Sequence, residues 1–214
     1  MHRRWTVPLL VGVGIVYGSV RDVRGAEGFP AGLRAVVGAG TVRSVAPETS
    51  TGVHAHAGLL VPLSGAWAGL VLLEVGPFSS HAGSPLGEGT FRLQMVTAAL
   101  VFRPLKASWS PLLMAGGLYQ ASAFSIRNPE AFAAVGLDVR TSNPQATPGA
   151  WGGAGLDYRA SDRLSLWVWG RKAFLRTKLK IQVADRVTGL SFEAKTDPID
   201  LNPWWIQGSL VLRF

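Results

Sequence analysis

The last eleven residues show the pattern from which the rest of the chain can be read. From Trp204 to Phe214 one parity gives Trp204, Ile206, Gly208, Leu210, Leu212 and Phe214, and the other gives Trp205, Gln207, Ser209, Val211 and Arg213. Successive strand side chains point to opposite faces, so this segment turns one face toward an apolar medium. A half-buried strand of a soluble sandwich would alternate in the same way, and it is the recurrence that separates the two. Similar segments lie at about Leu33–Val45, Val53–Leu63, Trp67–Phe78, Phe91–Phe102, Leu112–Phe124, Ala150–Tyr158, Leu164–Val183 and Asn202–Phe214. Each is near or above the roughly 9–11 residues that a tilted membrane strand needs. Short connections at 63–67, 103–111 and 159–163 alternate with long ones at 46–52, 79–90, 125–149 and 184–201. Short periplasmic turns, long external loops and an even strand number describe an outer-membrane barrel. The predicted fold is therefore all-β, an eight-stranded antiparallel up-and-down transmembrane barrel.

The strongest apolar run does not belong to this series. Residues 1–26 read His2-Arg3-Arg4, an apolar core from about Trp5 to Val20, and a short polar stretch to Ala26. That order is the basic, apolar and cleavage-site order of a secretory signal. Gly12, Gly14 and Gly18 and the shortness of the core argue against a membrane anchor. The expected division is a signal peptide over 1–26 and the barrel over 27–214.

Composition narrows the field. Hydrophobic residues make up 48% and charged residues 16%, and Gly, Pro and charges break every later apolar stretch before it could span a bilayer as a helix. Cys is absent, which removes disulfides, thiolate metal sites and a lipid-attachment residue. The net charge of +8 suggests a nucleic-acid partner. Setting aside Arg3, Arg4, Arg21, Arg24 and Asp22 leaves 17 of the 21 bases and 12 of the 13 acids, a charge of +5 spread along the chain. The bases are not gathered in one stripe, and no nucleic-acid partner is expected. Trp67, Trp109, Trp151, Trp204 and Trp205 fall near strand ends, where indoles favour the membrane–water boundary.

Several of these segments resemble the outer-membrane protein W (OmpW) family across nearly the whole mature chain. Leu33-Arg34-Ala35 through Gly38-Ala39-Gly40-Thr41-Val42-Arg43 is similar to its opening strand, and Gly69 through Pro77-Phe78, with His81, to its third. Pro111 through Tyr119 and Trp151-Gly152 through Asp157-Tyr158 resemble its fifth and sixth. The most specific likeness is Asp200-Leu201-Asn202-Pro203-Trp204 with the terminal Arg213-Phe214. The resemblance implies a small monomeric barrel in outer-membrane lipid, with a narrow apolar interior associated with uptake of small hydrophobic solutes. It also makes Phe214 part of the signal read by the barrel-assembly machinery.

Charges set the parity of each strand, because a charge facing lipid at mid-membrane costs roughly 2–4 kcal/mol. Arg171 lies about seven residues into the seventh segment. Pointing it inward carries Ser165, Trp167 and Trp169 with it and leaves Leu164, Leu166, Val168 and Gly170 to the lipid. A bulge that turns the indoles outward is the alternative. The same reasoning puts Trp205, Gln207 and Ser209 inward on the last strand, and Trp151, Gly153, Gly155 and Asp157 inward on the sixth. On the fifth, Met114, Gly116, Leu118 and Gln120 face inward, and on the second His54, His56, Gly58 and Leu60. The lumen-lining residues expected are thus Met114, Leu118, Asp157, Trp167, Trp169, Arg171, Trp205 and Gln207. Eight strands leave room only for side chains or one small ligand, which excludes a general diffusion pore. Glu74 and Arg92 are expected near the external ends of their strands, paired with each other or solvated. The stripe Lys172, Arg176, Lys178 and Lys180 reads as extending above the bilayer, toward lipopolysaccharide phosphates or into solvent.

A catalytic reading finds little. Of the histidines beyond the signal, none precedes a Ser in a His-X-Ser arrangement. His54-X-His56 has metal-binding spacing but no third ligand, so rim histidines are expected, with no metal and no cofactor. Three functions follow in order: a narrow barrel for uptake of small hydrophobic molecules, a structural or adhesive barrel acting through its external loops, and a lipid-modifying enzyme. An apolar passage favours the first over the second, and a Ser–His contact at the rim favours the third. The mature chain is predicted to start near Glu27 and to fractionate with outer membranes. Deleting Phe214 should impair membrane assembly, measured as the folded fraction in isolated outer membranes, and normal insertion of the truncated chain would contradict the terminal motif's role.

Overall fold

A computed structural model describes residues 32–214 apart from 46–48, 82–87, 128, 143–146, 179 and 196–197. The expected signal peptide, 1–26, lies outside the described residues. Eight antiparallel strands close into a barrel: β1 (Arg34–Arg43), β2 (Gly52–Pro62), β3 (Trp67–Ser80), β4 (Gly89–Phe102), β5 (Trp109–Ile126), β7 (Thr147–Arg159), β8 (Leu164–Phe174) and β13 (Trp204–Arg213). Each strand pairs with the next along the chain, and β1 closes the ring on β13 from Arg34↔Arg213 to Arg43↔Trp204. Closure leaves no edge with unpaired backbone groups, which is what a sheet in hydrocarbon requires.

Side chains alternate between the lumen and the outer surface along the walls. On β3, Leu70, Leu72 and Glu74 are buried inside while Val71 and Leu73 lie outside. On β8, Ser165, Trp167, Trp169 and Arg171 are inside while Leu166 and Val168 are outside. Val168, Ile206, Leu210, Val96, Leu100 and Leu113 form part of an exposed apolar band around the barrel. In water such a band would drive association, whereas in lipid it carries no penalty. At the end with short turns, Trp67 packs on Phe102 at 4.7 Å and Trp109 on Tyr158 at 4.5 Å. At the other end Trp204 lies outside with the Lys172 ammonium 5.0 Å from its ring. Trp67, Trp109 and Trp204 thus form girdles at the two boundaries, but Trp151 and Trp205 turn into the barrel.

Two expectations about the external side are corrected. The seventh segment does not run unbroken from Leu164 to Val183. β8 stops at Phe174, and after β9 (Arg176–Thr177) the chain forms β10 (Lys180–Asp185) in a separate sheet. The alternation that suggested one long strand is real, but beyond Phe174 its pairing partners are not barrel strands. Residues 125–149 and 184–201 are not simply loops. They contribute α1 (Pro129–Ala134), β6 (Leu137–Ser142) and β11 (Ser191–Lys195), and β11, β10 and β6 form a three-stranded sheet outside the barrel. A short β12 (Ile199–Asp200) pairs with β9.

Glycines divide by the same parity. An added Cβ at inward Gly155 would lie 2.4 Å from the Trp169 Cβ, and at inward Gly40 2.2 Å from the Ile206 carbonyl oxygen. At outward Gly170 the nearest atom is 3.5 Å away. A narrow, curved wall packed with indoles has no space for side chains at the first two sites. We therefore expect Gly155→Val to abolish the heat-modifiable gel migration of a folded barrel, and Gly170→Val to retain it. Equal tolerance at both positions would contradict the packing described here.

Candidate functional site

The centre of the barrel holds charge rather than hydrocarbon. Glu74 on β3 and Arg171 on β8 each lie seven residues beyond a short turn, on walls four strands apart in either direction around the ring. They therefore meet across the full width of the lumen. Arg171 Nη1 donates to Glu74 Oε1 at 2.8 Å, and Arg171 Nη2 donates to Oε2. His54 Nε2, on β2, is 2.8 Å from Glu74 Oε2, and the Thr97 hydroxyl, on β4, donates to Oε1. Three walls thus supply donors to one carboxylate, and both charged side chains are fully buried. The cation is enclosed in turn by Trp205, Trp151 and Trp169, with the guanidinium carbon 4.2, 5.1 and 5.5 Å from their ring centres. A buried ion pair is tolerated only where hydrogen bonds and ring faces replace the lost water, and this geometry provides both.

A second polar group lies beside the first. Ser209 on β13 receives the Trp169 indole N–H at 2.9 Å and lies 2.8 Å from His56 Nε2. His56 stacks on His54 at 5.2 Å. The Ser–His contact does not have the form of a catalytic pair. Both residues are buried at the barrel centre, and among the described residues His56 Nδ1 has no hydrogen-bond partner that could orient the ring. Nor do the histidines sit solvated at the rim, where the sequence had suggested them: both are buried inside. Among the described residues no group of three potential ligands gathers for a metal.

Hydrophobic packing occupies the interior on the external side of this centre. Toward the external side Phe78, Phe91 and Phe124 pack in series at 5.1 and 6.2 Å, together with Leu93 and Leu118. Met114, Leu118, Trp167, Trp169, Arg171, Trp205 and Gln207 are all buried inside the barrel. Asp157 is buried as well, but at the opposite end, with its Oδ2 2.8 Å from Arg103 Nε. The terminal motif has a local structural basis. Asn202, with a φ of 31°, accepts the Leu175 N–H through Oδ1 at 2.9 Å, and the Pro203 carbonyl accepts the Ala173 N–H at 3.0 Å. These bonds return the chain from the external loops to the wall, and Trp204 sits at the boundary. At the other end Arg213 Nη2 donates to Ser165 Oγ at 3.2 Å, while Phe214 is exposed.

Sequence reasoning misplaced Glu74. It does not pair with Arg92 near the external rim. Arg92 points outward from β4, and Glu74 is held by Arg171. The missed signal was present: Val71 and Leu73 give the outward parity of β3, and Glu74 lies as far from its turn as Arg171 does from its own.

No family model and no curated protein matches the chain. Solved structures do. The outer membrane protein OprG from Pseudomonas aeruginosa aligns over 86% of this chain and 97% of its own, with a TM-score of 0.64 and 13% identity. Neisserial surface protein A aligns over 85% and 97%, with a TM-score of 0.59 and 9% identity. The E. coli Outer Membrane Protein W aligns over 86% and 98%, with 16% identity and a TM-score of 0.44, a likeness that carries no argument about family. At these identities the likeness is one of fold. Together with the apolar outer band and the aromatic girdles, it makes this chain a small eight-stranded β-barrel of the bacterial outer membrane.

Proposed function

We propose that this protein is a closed outer-membrane barrel that acts through its external sheet as a surface-binding protein. The observation that carries this reading is the Glu74–Arg171 pair, which crosses the lumen inside a packed interior. An axial passage would have to break that pair and displace the surrounding indoles, and breaking a buried ion pair costs about 3–5 kcal/mol. The external sheet, by contrast, offers apolar side chains to whatever meets the cell. Val187 and Leu190, at the β10–β11 hairpin, are 86% and 71% exposed, and Phe192, Val135 and Phe132 are exposed near them. The hairpin holds a defined shape. Asp185 Oδ1 accepts the Val187 N–H at 2.8 Å, and that bond with those of Thr188 keeps its carboxyl below the usual carboxylate range. Arg186 donates its N–H to the Gly136 carbonyl at 2.8 Å, which ties the hairpin to the turn after α1. An apolar tip held in a hydrogen-bonded turn on a closed barrel suits binding to an apolar partner surface.

Uptake of small hydrophobic molecules is the second reading, and one observation favours it. The aromatic interior adjoins a glycine-rich wall, where Gly116 pairs with Trp151, Met114 with Gly153 and Leu112 with Gly155. A solute there would gain roughly 25 cal/mol per Å² of apolar surface removed from water, and could leave sideways past the glycines. Lipopolysaccharide surrounds the barrel in either case.

Three measurements separate the readings. The unmodified barrel should show no steady ion conductance in planar bilayers, and Val187→Asp with Leu190→Asp should abolish its contribution to cell attachment on apolar surfaces. Uptake of a small alkane under limiting supply should be equal with and without the protein. Protein-dependent uptake that falls in Trp169→Ala and Arg171→Ala would instead establish the second reading.

A further inference from the structure

The periplasmic end of the barrel is filled quite differently from its centre. Arg34 opens β1 facing inward, and Arg213 ends β13 beside it in register. Arg103 follows β4 and Arg159 ends β7 at the same end, and the four guanidinium groups lie within electrostatic reach of one another. The acids that face them are Asp157, fully buried and held by Arg103, and Asp162 in the β7–β8 turn, whose backbone carbonyl accepts from Arg213. Positive charge therefore exceeds negative charge in a partly desolvated site, where repulsion is weakly screened.

Two further features point to a ligand. Arg103 Nη2, Arg159 Nε and Arg213 Nε are buried with no hydrogen-bond partner among the described residues. Donors left in that state are costly, and charged ones more so. Beside them lies a cavity of about 230 Å³ lined by Arg34, Arg103, Lys106 and Arg159, with Trp167 on the inner side and Trp67 at the lip. Trp67 belongs to the periplasmic aromatic girdle, so the cavity opens at the level of the inner-leaflet headgroups. Guanidinium groups match the oxygens of a phosphate with paired hydrogen bonds, and Lys106 adds a point charge.

We propose that the periplasmic mouth, built by Arg34, Arg103, Arg159 and Lys106, is a binding site for a phosphate group. The group is carried by an anionic phospholipid headgroup or by a free phosphate ester. Arg103 has a dual role: it pairs with Asp157 when the site is empty and shares its unpaired Nη2 with the bound anion. Asp157 opposes binding, because its charge competes for the same guanidinium. The two residues therefore have opposite effects on affinity, a distinction that a purely structural cluster would not produce.

The test uses the full barrel, folded in a maltoside detergent that carries no phosphate. Arginine Nε–H resonances are followed by NMR during titration with inorganic phosphate at fixed ionic strength, and separately with phosphatidylglycerol or the matching diacylglycerol in the micelle. A saturable shift with phosphatidylglycerol alone assigns the site to a headgroup, and one with both phosphate probes assigns it to the phosphate itself. Either outcome supports the proposal. Arg103→Gln should weaken binding roughly tenfold, the loss of about one charge-assisted bond, and Asp157→Asn should tighten it. Heat-modifiable migration confirms that each variant is folded. The proposal is overturned if neither phosphate probe produces more shift than chloride and diacylglycerol, if Arg103→Gln binds as well as the unmodified barrel, or if Asp157→Asn binds more weakly.

Discussion

A carboxylate buried at the centre of a narrow barrel has to be neutralised from the opposite wall, and much of the interior follows from that requirement. Among the described residues Glu74 on β3 has no lysine or arginine facing the lumen on its own or neighbouring strands, and Arg171 reaches it from β8. Once that line is drawn across the barrel, other positions are constrained. His54 and Thr97 fill the carboxylate's remaining acceptor capacity from the two flanking walls. Trp151, Trp169 and Trp205 supply ring faces to the cation. Glycines such as Gly153 and Gly155 make way for those bulky groups on the neighbouring wall. The polar and aromatic residues at the centre of the barrel thus form one arrangement around one pair of charges.

The ends of the barrel have different chemistry because they meet different surroundings. The periplasmic mouth carries arginines around a small cavity. The external end is lined by phenylalanines and continues into a separate three-stranded sheet. Between them the outer surface is apolar, with its indoles at the two boundaries. A membrane explains this sequence of layers, and a soluble sandwich with the same strand count does not.

Most of the barrel was legible in the primary structure because period-two patterning and loop length act locally. Once Arg171 was placed inward, the side of the wall to which Trp167 and Trp169 belong followed by counting, and the same reasoning on the last strand placed Trp205 and Gln207. What could not be counted was the partner across the lumen, since contacts between β3 and β8 depend on strand number and register together. Glu74 shows this most clearly: its parity was readable from Val71 and Leu73, but its depth was set toward the external end of the strand, and its partner on β8 lies 97 residues away in sequence. The end of the seventh segment failed for a related reason. Alternation continues from β8 into β10, and only pairing with β6 and β11 reveals that the second part has left the barrel. The roles of Asn202 and Pro203 were visible as a motif, but their hydrogen bonds to Leu175 and Ala173 belong to tertiary structure.

The most direct test of a lumen organised by one transverse ion pair is a double-mutant cycle on Glu74 and Arg171. Unfolding free energies of the reconstituted barrel would be measured for Glu74→Gln, Arg171→Met and the double variant. Each single change leaves the other charge buried and should cost about 3–5 kcal/mol, while the double change should cost far less than their sum. Additivity to within about 0.5 kcal/mol would contradict the account, because it would mean that the two charges do not depend on each other across the barrel.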